Sequence, residues 1–249
     1  MRKIPKKLRK DPIVEAVFEL RFKPAPSAPS AFGDVLAGIL YNQFKKDFSQ
    51  IDRLPFSNIP RELQDLDPNL RYQARSRLKS DKGMILVGDR MAAISSPRPY
   101  MGWENFFPLI MRVIGQLNET TLVGQIERFS VKYMNVLEAD EMQAQFSFVN
   151  LRAKLGTYDL TKHLTQFRTE IEERGFANII EILAGTTVKT VDSKEFRGLL
   201  LNIDTVKKAP QNFWQEADAL INSAHEVEKD LFFSVLSKSA LDQFGPIWE

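Results

Sequence analysis

Residues 13–22 place the strongest constraint on the fold of this chain. The run IVEAVFELRF has an apolar side chain at every second position from Val14 to Phe22, with charged side chains between several of them. A two-residue period rich in β-branched and aromatic residues predicts a β-strand with one buried face and one exposed face. Such a strand needs partner strands on its edges and a covering layer on its apolar face, so we expect a sheet backed by other elements.

Helices provide the predicted covering layer. Apolar residues at three- and four-residue spacing predict helices at about 30–48, 103–118, 159–174 and 211–236, with a short final helix at 240–244. Alternating or β-rich segments predict strands at about 70–79, 83–88, 90–96, 123–137, 143–151, 178–191 and 195–206. Residues 51–69 contain three prolines and no period, which predicts a long irregular connection.

The order of these elements predicts an α+β fold in which an antiparallel sheet is backed by helices. Each half of the chain contains strands, a helix, further strands and a second helix, so we expect two similar halves of the βαββα type that form a saddle-like sheet. The predicted boundaries are a flexible basic arm at 1–12, a first half at 13–120 and a second half at 121–249. The two halves together should form one domain.

Composition narrows the chemistry that this chain can perform. The 249 residues carry a net charge of +2, but the first ten, MRKIPKKLRK, contain six basic residues and no acidic residue. The chain has no cysteine, which excludes disulfides, thiolate zinc sites and iron–sulfur clusters. No apolar run approaches the roughly 20 residues needed to span a bilayer, so we expect a cytoplasmic protein that does not enter a membrane.

Catalytic and cofactor motifs are not evident in the sequence. It has no G-x-G-x-x-G segment, no P-loop and no G-x-S-x-G segment. The segment that begins at His225 starts like a zinc-binding H-E-x-x-H motif, but Lys229 stands where the second histidine is needed. We therefore expect no cofactor, no metal and no catalytic residues. Dispersed carboxylates leave a metal-dependent hydrolase or nuclease as an open alternative.

A basic face is predicted on the strand at 71–79. Its alternation places four cations on one side at a spacing similar to that of phosphates along a nucleic-acid strand. Two further cations would extend this face if the strand at 123–137 lies nearby. The six candidate residues are Arg71, Arg75, Arg77, Lys79, Arg128 and Lys132. They could contact nucleic acid or a protein partner, or they could pair with Glu15 and Glu19 across the sheet.

An aromatic cluster opens the predicted helix at 103–118. Tyr100 and Trp103 follow Pro97 and Pro99 and flank Gly102. Core packing at a rigid helix entry explains such a cluster, and a pocket for a partner or ligand is the alternative.

Four segments resemble one known family. They are KKLRKDPIVEAVFELRF at the start, DPNLRYQ at 67–73, PYMGWENF at 99–106 and HEVEKDLFFSVLSKSALDQF near the end. They are similar to a sporadically distributed family of uncharacterised prokaryotic proteins, and the resemblance covers essentially the whole chain. Its patchy distribution resembles that of mobile or defence-type gene cassettes, which implies a role beside a partner. It implies no catalytic motif.

We therefore expect a non-enzymatic binding or accessory protein that acts through a protein partner in a defence or toxin–antitoxin-like module. The partner would come from the same operon or be a second copy of the chain, and it would bind the sheet face or the 51–69 connection. A nucleic-acid-binding subunit that uses the basic strand face is the first alternative.

Overall fold

An antiparallel sheet of nine strands forms the centre of the part of the chain that the structure, a computed structural model, describes: residues 4–68, 70–189 and 193–248. In chain order the strands are β1 (Lys7–Leu8), β2 (Ile13–Pro24), β3 (Gln50–Arg53), β4 (Ser76–Lys79), β5 (Met84–Val87), β6 (Met91–Pro97), β7 (Val123–Glu138), β8 (Lys154–Leu155), β9 (Tyr158–Asp159), β10 (Gln166–Glu173), β11 (Phe176–Lys189), β12 (Glu195–Lys208) and β13 (Pro246–Ile247). The helices are α1 (Phe32–Phe44), α2 (Arg61–Leu66), α3 (Trp103–Glu119), α4 (Met142–Ser147), α5 (Phe213–Val235) and α6 (Lys238–Phe244), with 3₁₀ turns at Pro55–Asn58 and Leu160–Lys162. The predicted α+β class is confirmed.

Strand β2 forms as its alternation predicts. Its even-numbered residues from Val14 to Phe22 are buried, and the residues between them are partly exposed. Residues of α1, α3 and α5 belong to the same core cluster as Phe18 of β2 and Phe129 of β7. Burying a large apolar side chain contributes about 1.5–3 kcal/mol, so this shared core stabilises both layers. We call the opposite side of the sheet, which carries Glu15, Val17, Glu19 and Arg21 of β2, the open face.

The strand order is nearly symmetric about the β7–β2 pair, with four strands from β7 outward and five from β2 outward. It runs β10-β11-β12-β7-β2-β6-β5-β4-β3 with antiparallel pairing throughout. In each half the first strand pairs with the last strand, and the two first strands, β2 and β7, pair with each other. This arrangement is the one that two similar units related by a two-fold axis would produce. Duplication and the saddle shape stay predictions, because α1 has 13 residues whereas α4, after the equivalent strand, has six.

Two elements of the second half differ from the sequence prediction. The helix predicted at 159–174 is wrong, since Gln166–Glu173 is edge strand β10, paired with β11. Because β10 lies at the edge of the sheet and most of its side chains are exposed, it lacks the apolar alternation of a central strand. Its pairing with β11, rather than a local pattern, determines its conformation. The strand predicted at 143–151 is also wrong, because Met142–Ser147 is helix α4. The buried Gln145 bridges this helix to β11 by accepting from Gly185 N and donating to Ala139 O.

The basic arm is held in place, whereas the sequence predicts a flexible segment. Strand β1 pairs with β13, and Lys6 N donates to Ile247 O at 2.8 Å. Arg9 N donates to Gly245 O at 3.0 Å. Backbone groups of the arm are satisfied by the C-terminal segment, which fixes the described residues of the arm, 4–12, against it. Residues 1–3 of the predicted arm lie outside the described residues.

The connection at 51–69 contains more regular structure than predicted. It holds most of β3, the 3₁₀ turn and α2. Arg61 of α2 donates to Asp89 at 3.1 Å and to Asp34 of α1 at 2.6 Å. Asp89 also accepts a hydrogen bond from Gly33 N, a donor at the start of α1 that has no acceptor within the helix. These bonds attach the connection to the helix layer.

Candidate functional site

The predicted row of four cations on the strand at 71–79 is wrong. Only Ser76–Lys79 forms a strand, so the alternation does not extend back to Arg71 and Arg75. Arg75 is 5% exposed and donates to Ser57 O at 2.7 Å and to Ile59 O at 3.2 Å. Its guanidinium group holds the 3₁₀ segment onto the sheet, and burial removes it from any binding surface.

The remaining cations of the open face are largely neutralised by acids of the same face. Arg77 pairs with Asp52 of β3 at 3.0 Å. Arg128 of β7 pairs with Glu19 of β2 at 3.2 Å and with Asp204 of β12 at 3.7 Å. Burial raises the pKa of the Asp204 carboxyl, and the nearby Arg128 and Lys132 counteract this rise. Lys132 lies directly opposite Asp204 in the strand register. Arg128 therefore pairs with Glu19, a partner that the sequence left open, whereas Arg77 pairs across the sheet with Asp52, which the sequence did not indicate.

A groove lies between these charges near the end of the β2–β7 pair. We call it the central groove; it has a volume of about 530 Å³ and reaches the strands of both halves. Its lining includes Glu15, Lys79, Met84, Pro97, Met134 and Leu200. Most of these side chains are apolar, and they are partly exposed. Charged side chains also line the groove, and two of them have partners: Arg98 pairs with Glu138 at 3.3 Å and Lys189 pairs with Glu195 at 3.2 Å.

Tyr100 and Trp103 lie on the helix side of the sheet, at the entry to α3. Gly102 between them has φ +82°, a conformation that favours glycine and lets the chain turn into the helix. The Trp103 ring stacks on the His225 ring of α5 with a centroid distance of 3.9 Å and an interplanar angle of 11°. Its indole N–H donates to Asn222 Oδ1 at 3.0 Å. The aromatic cluster therefore connects α3 to α5.

A chain of hydrogen bonds runs from this cluster into the core. The hydroxyls of Tyr100 and Tyr133 are 3.0 Å apart, and the Tyr133 hydroxyl lies 3.1 Å from His225 Nδ1. Burial raises the pKa of both tyrosines, so both hydroxyls stay protonated. Burial, with a smaller effect from the charge of Lys229, lowers the pKa of His225 to about 3. The two hydroxyl groups and the imidazole of this hydrogen-bonded series are therefore uncharged at neutral pH.

Glu228 lies one turn beyond His225 on α5. It is 4% exposed, and burial raises the pKa of its carboxyl to about 8, although the charge of Lys229 opposes the rise. In the described part of the chain, no hydrogen bond or ion pair reaches this carboxyl group. The group is protonated at neutral pH because the neutral form costs less to bury than the charged form.

These side chains line one cavity of about 600 Å³. We call it the arm cavity, because the basic arm forms one of its walls. Its lining includes Lys6 and Asp11 of the arm, Tyr100, Trp103, Tyr133 and Glu228. The two aromatic residues that the sequence analysis named thus lie at a pocket, together with residues that it missed. One signal was present: buried positions of α5 recur at 217, 221, 224, 228 and 231, and 228 is the charged member of that stripe.

Neither a metal site nor a membrane-spanning helix is found among the described residues. Among residues 4–68, 70–189 and 193–248, no three His, Asp or Glu side chains lie close enough together to hold a metal ion. Within the same ranges, no helix has the length and apolar character needed to cross a membrane.

Comparison with known proteins does not identify the chain. No protein-family model matches the sequence, and a search of curated proteins finds no significant match.

Proposed function

We propose that the protein is a non-enzymatic binding protein that acts through a protein partner, and that the partner binds the open face at the central groove. The observation that carries this proposal is an apolar groove within a face whose arginines already have acidic partners. Interfaces combine an apolar centre with a polar rim, and methionine is enriched in them. Met84 and Met134 supply adaptable apolar surface in the groove.

The charge pattern of the open face favours a protein over a nucleic acid. Binding to a phosphate backbone needs cations that are free to replace counter-ions. Arg77 and Arg128 instead have carboxylate partners at 3.0 and 3.2 Å, and Arg75 is buried. Lys79 and Lys132 are the better candidates for the alternative nucleic-acid role.

The identity of the partner rests on the resemblance described above. A partner encoded in the same operon, within a defence or toxin–antitoxin-like module, fits the patchy distribution of the family that the chain resembles. A second copy of the chain is the other partner to test.

A co-purification experiment with matched variants tests the proposal. The tagged protein is expressed with its neighbouring genes, and Leu200→Asp is compared with Ile179→Lys. Both residues are partly exposed on the open face, but only Leu200 lines the central groove, and a lysine at 179 would lie opposite the Asp204 carboxyl group. We expect Leu200→Asp to lose the partner and Ile179→Lys to retain it. A partner retained by both folded variants would refute the groove as the binding site.

Two further measurements separate the alternatives. Light scattering of the purified protein reports self-association, and loss of a dimer in Leu200→Asp would identify the partner as a second copy. An electrophoretic mobility assay at low and high salt tests nucleic acid, with Lys79→Glu plus Lys132→Glu as the variant. A salt-dependent shift that this variant abolishes would favour the nucleic-acid alternative over the proposal.

A further inference from the structure

The Glu228 carboxyl group is a buried acid that lacks a partner. It sits in the middle of α5, is 4% exposed and lines the arm cavity. Its neighbour His225 bonds to Tyr133 and stacks on Trp103, so the imidazole is already engaged. No described residue donates a hydrogen bond to Glu228. Because Glu228 lines the cavity, a ligand bound there could supply the hydrogen-bond donor that no described residue supplies.

The ionised acids and bases that line the cavity balance one another while Glu228 is protonated, so the Glu228 carboxyl group decides which ligand charge the cavity favours. The acids that line it are Asp11 from the arm, Glu104 from α3, and Glu226 and Glu228 from α5. The bases are Lys6 and Lys7 from the arm and Lys229 from α5. Within the described residues, none of these three lysines forms an ion pair with Glu228. The carboxyl groups of Asp11, Glu104 and Glu228 all lie near enough to Tyr100 to raise its pKa, so they surround the same aromatic wall.

Aromatic side chains form much of the remaining wall. Tyr100, Trp103, Tyr133, Phe232 and Phe233 line the cavity. Aromatic faces attract ammonium groups, and this attraction strengthens where water is excluded. A volume of about 600 Å³ lies within the usual range for small-molecule sites. The cavity thus combines a carboxyl group, aromatic walls and room for a hydrocarbon chain.

We propose that the arm cavity binds a primary ammonium group on a short hydrocarbon chain, with Glu228 as its counter-ion. This chemistry is shared by a free alkylamine and by the side chain of a lysine residue from a partner. The site lies on the helix side of the sheet, so the proposal does not depend on binding at the open face.

Binding should release a proton. At neutral pH the Glu228 carboxyl is protonated, since burial raises its pKa to about 8. An ammonium ion beside it stabilises the carboxylate, so the proton leaves to solvent as the ion pair forms. The other groups that face Glu228 do not supply this proton: Tyr100 and Tyr133 have raised pKa values, and His225 is already neutral.

Isothermal titration calorimetry with n-butylamine tests the proposal. Butylamine reproduces the end of a lysine side chain, and butyrate and 1-butanol are its anionic and neutral controls. Titration at pH 7 in two buffers of different ionisation enthalpy measures the protons released. We expect butylamine to bind, the controls to bind much more weakly, and about one proton to be released per ligand. The release should disappear above the pKa of about 8.

Variants and a second probe complete the design. Glu228→Gln should weaken butylamine binding by about tenfold or more and abolish proton release. Glu216→Gln is the matched control, because Glu216 lies on the same helix but is exposed. Lysine amide acetylated on its α-nitrogen, which keeps the side-chain ammonium group, identifies the source of the ligand. Binding of this probe in place of butylamine indicates a lysine residue of a peptide, and binding of butylamine alone indicates a free amine.

Three results would overturn the proposal: neither amine binds, butyrate binds as well as butylamine, or Glu228→Gln binds like the wild type. The proton measurement uses the wild-type chain, so the test stands even if the variant fails to fold.

Discussion

Replacing Glu228 by glutamine should change how the stability of the protein depends on pH. The Glu228 carboxyl has a pKa of about 8 in the folded chain because it is buried, against 4.5 ordinarily. Below the lower value the group is protonated in both the folded and the unfolded chain. As pH rises between the two values, the unfolded chain ionises and the folded chain does not, so the free energy of unfolding falls.

The size of this effect follows from the two pKa values. A pKa difference of one costs about 1.4 kcal/mol, so the full difference at Glu228 corresponds to about 5 kcal/mol above pH 8. At pH 7 the loss should be about 3 kcal/mol. Glutamine cannot ionise. The stability of Glu228→Gln relative to the wild type should therefore rise with pH by these amounts.

Urea denaturation of both proteins at pH 5, 7 and 8.5 measures the effect. Other titrating groups are common to both chains, so their contributions cancel in the difference between the two free energies of unfolding. Any pH-independent effect of the substitution shifts all three values equally and does not alter the slope. A difference between Glu228→Gln and wild type that stays constant across this range would refute the assignment of a buried, neutral carboxyl group.

Four other substitutions test the packing around the site and the sheet. Tyr133→Phe should destabilise the fold by about 1–2 kcal/mol in urea, because both partners of its hydroxyl lose a hydrogen bond. Arg75→Ala should cost about 2–3 kcal/mol by the same assay, since two carbonyls lose a charged donor, whereas Arg77→Ala should cost less than about 1 kcal/mol for its partly exposed ion pair. Gly198→Ala should lower the melting temperature, because its Cβ would collide with the Leu137 carbonyl oxygen; an unchanged melting temperature would contradict this packing.

Elements with a strong periodic pattern were predictable from the sequence. Strand β2 alternates over its whole buried length, and α1, α3 and α5 carry apolar stripes that the core needs. Strand β10 and helix α4 were not predictable, because their conformations depend on β11, a partner distant in sequence. Local propensity is a weak guide where such long-range contacts decide the outcome.

The site was only partly predictable for a similar reason. Tyr100 and Trp103 stand out as an aromatic cluster beside prolines and a glycine. Tyr133 reads only as a residue on the apolar face of a strand, and Glu228 reads as a helical charge. The cavity forms where β7, α3, α5 and the arm come together, and no local sequence pattern predicts that these elements contact one another. Arg75 shows the opposite error, since its charge suggested a surface role that its burial excludes.

The pairing of β2 with β7 has a consequence for chain fragments. These two strands are the longest contact between the halves, and they occupy equivalent places in them. A fragment that ends near residue 120 would leave the edge of β2 unpaired along Ile13–Pro24. An open edge of that length is a template for another chain. Since β2 and β7 run antiparallel, β2 of a second fragment could take the place of β7, and we expect the isolated first half to form a symmetric dimer through this edge rather than a monomer.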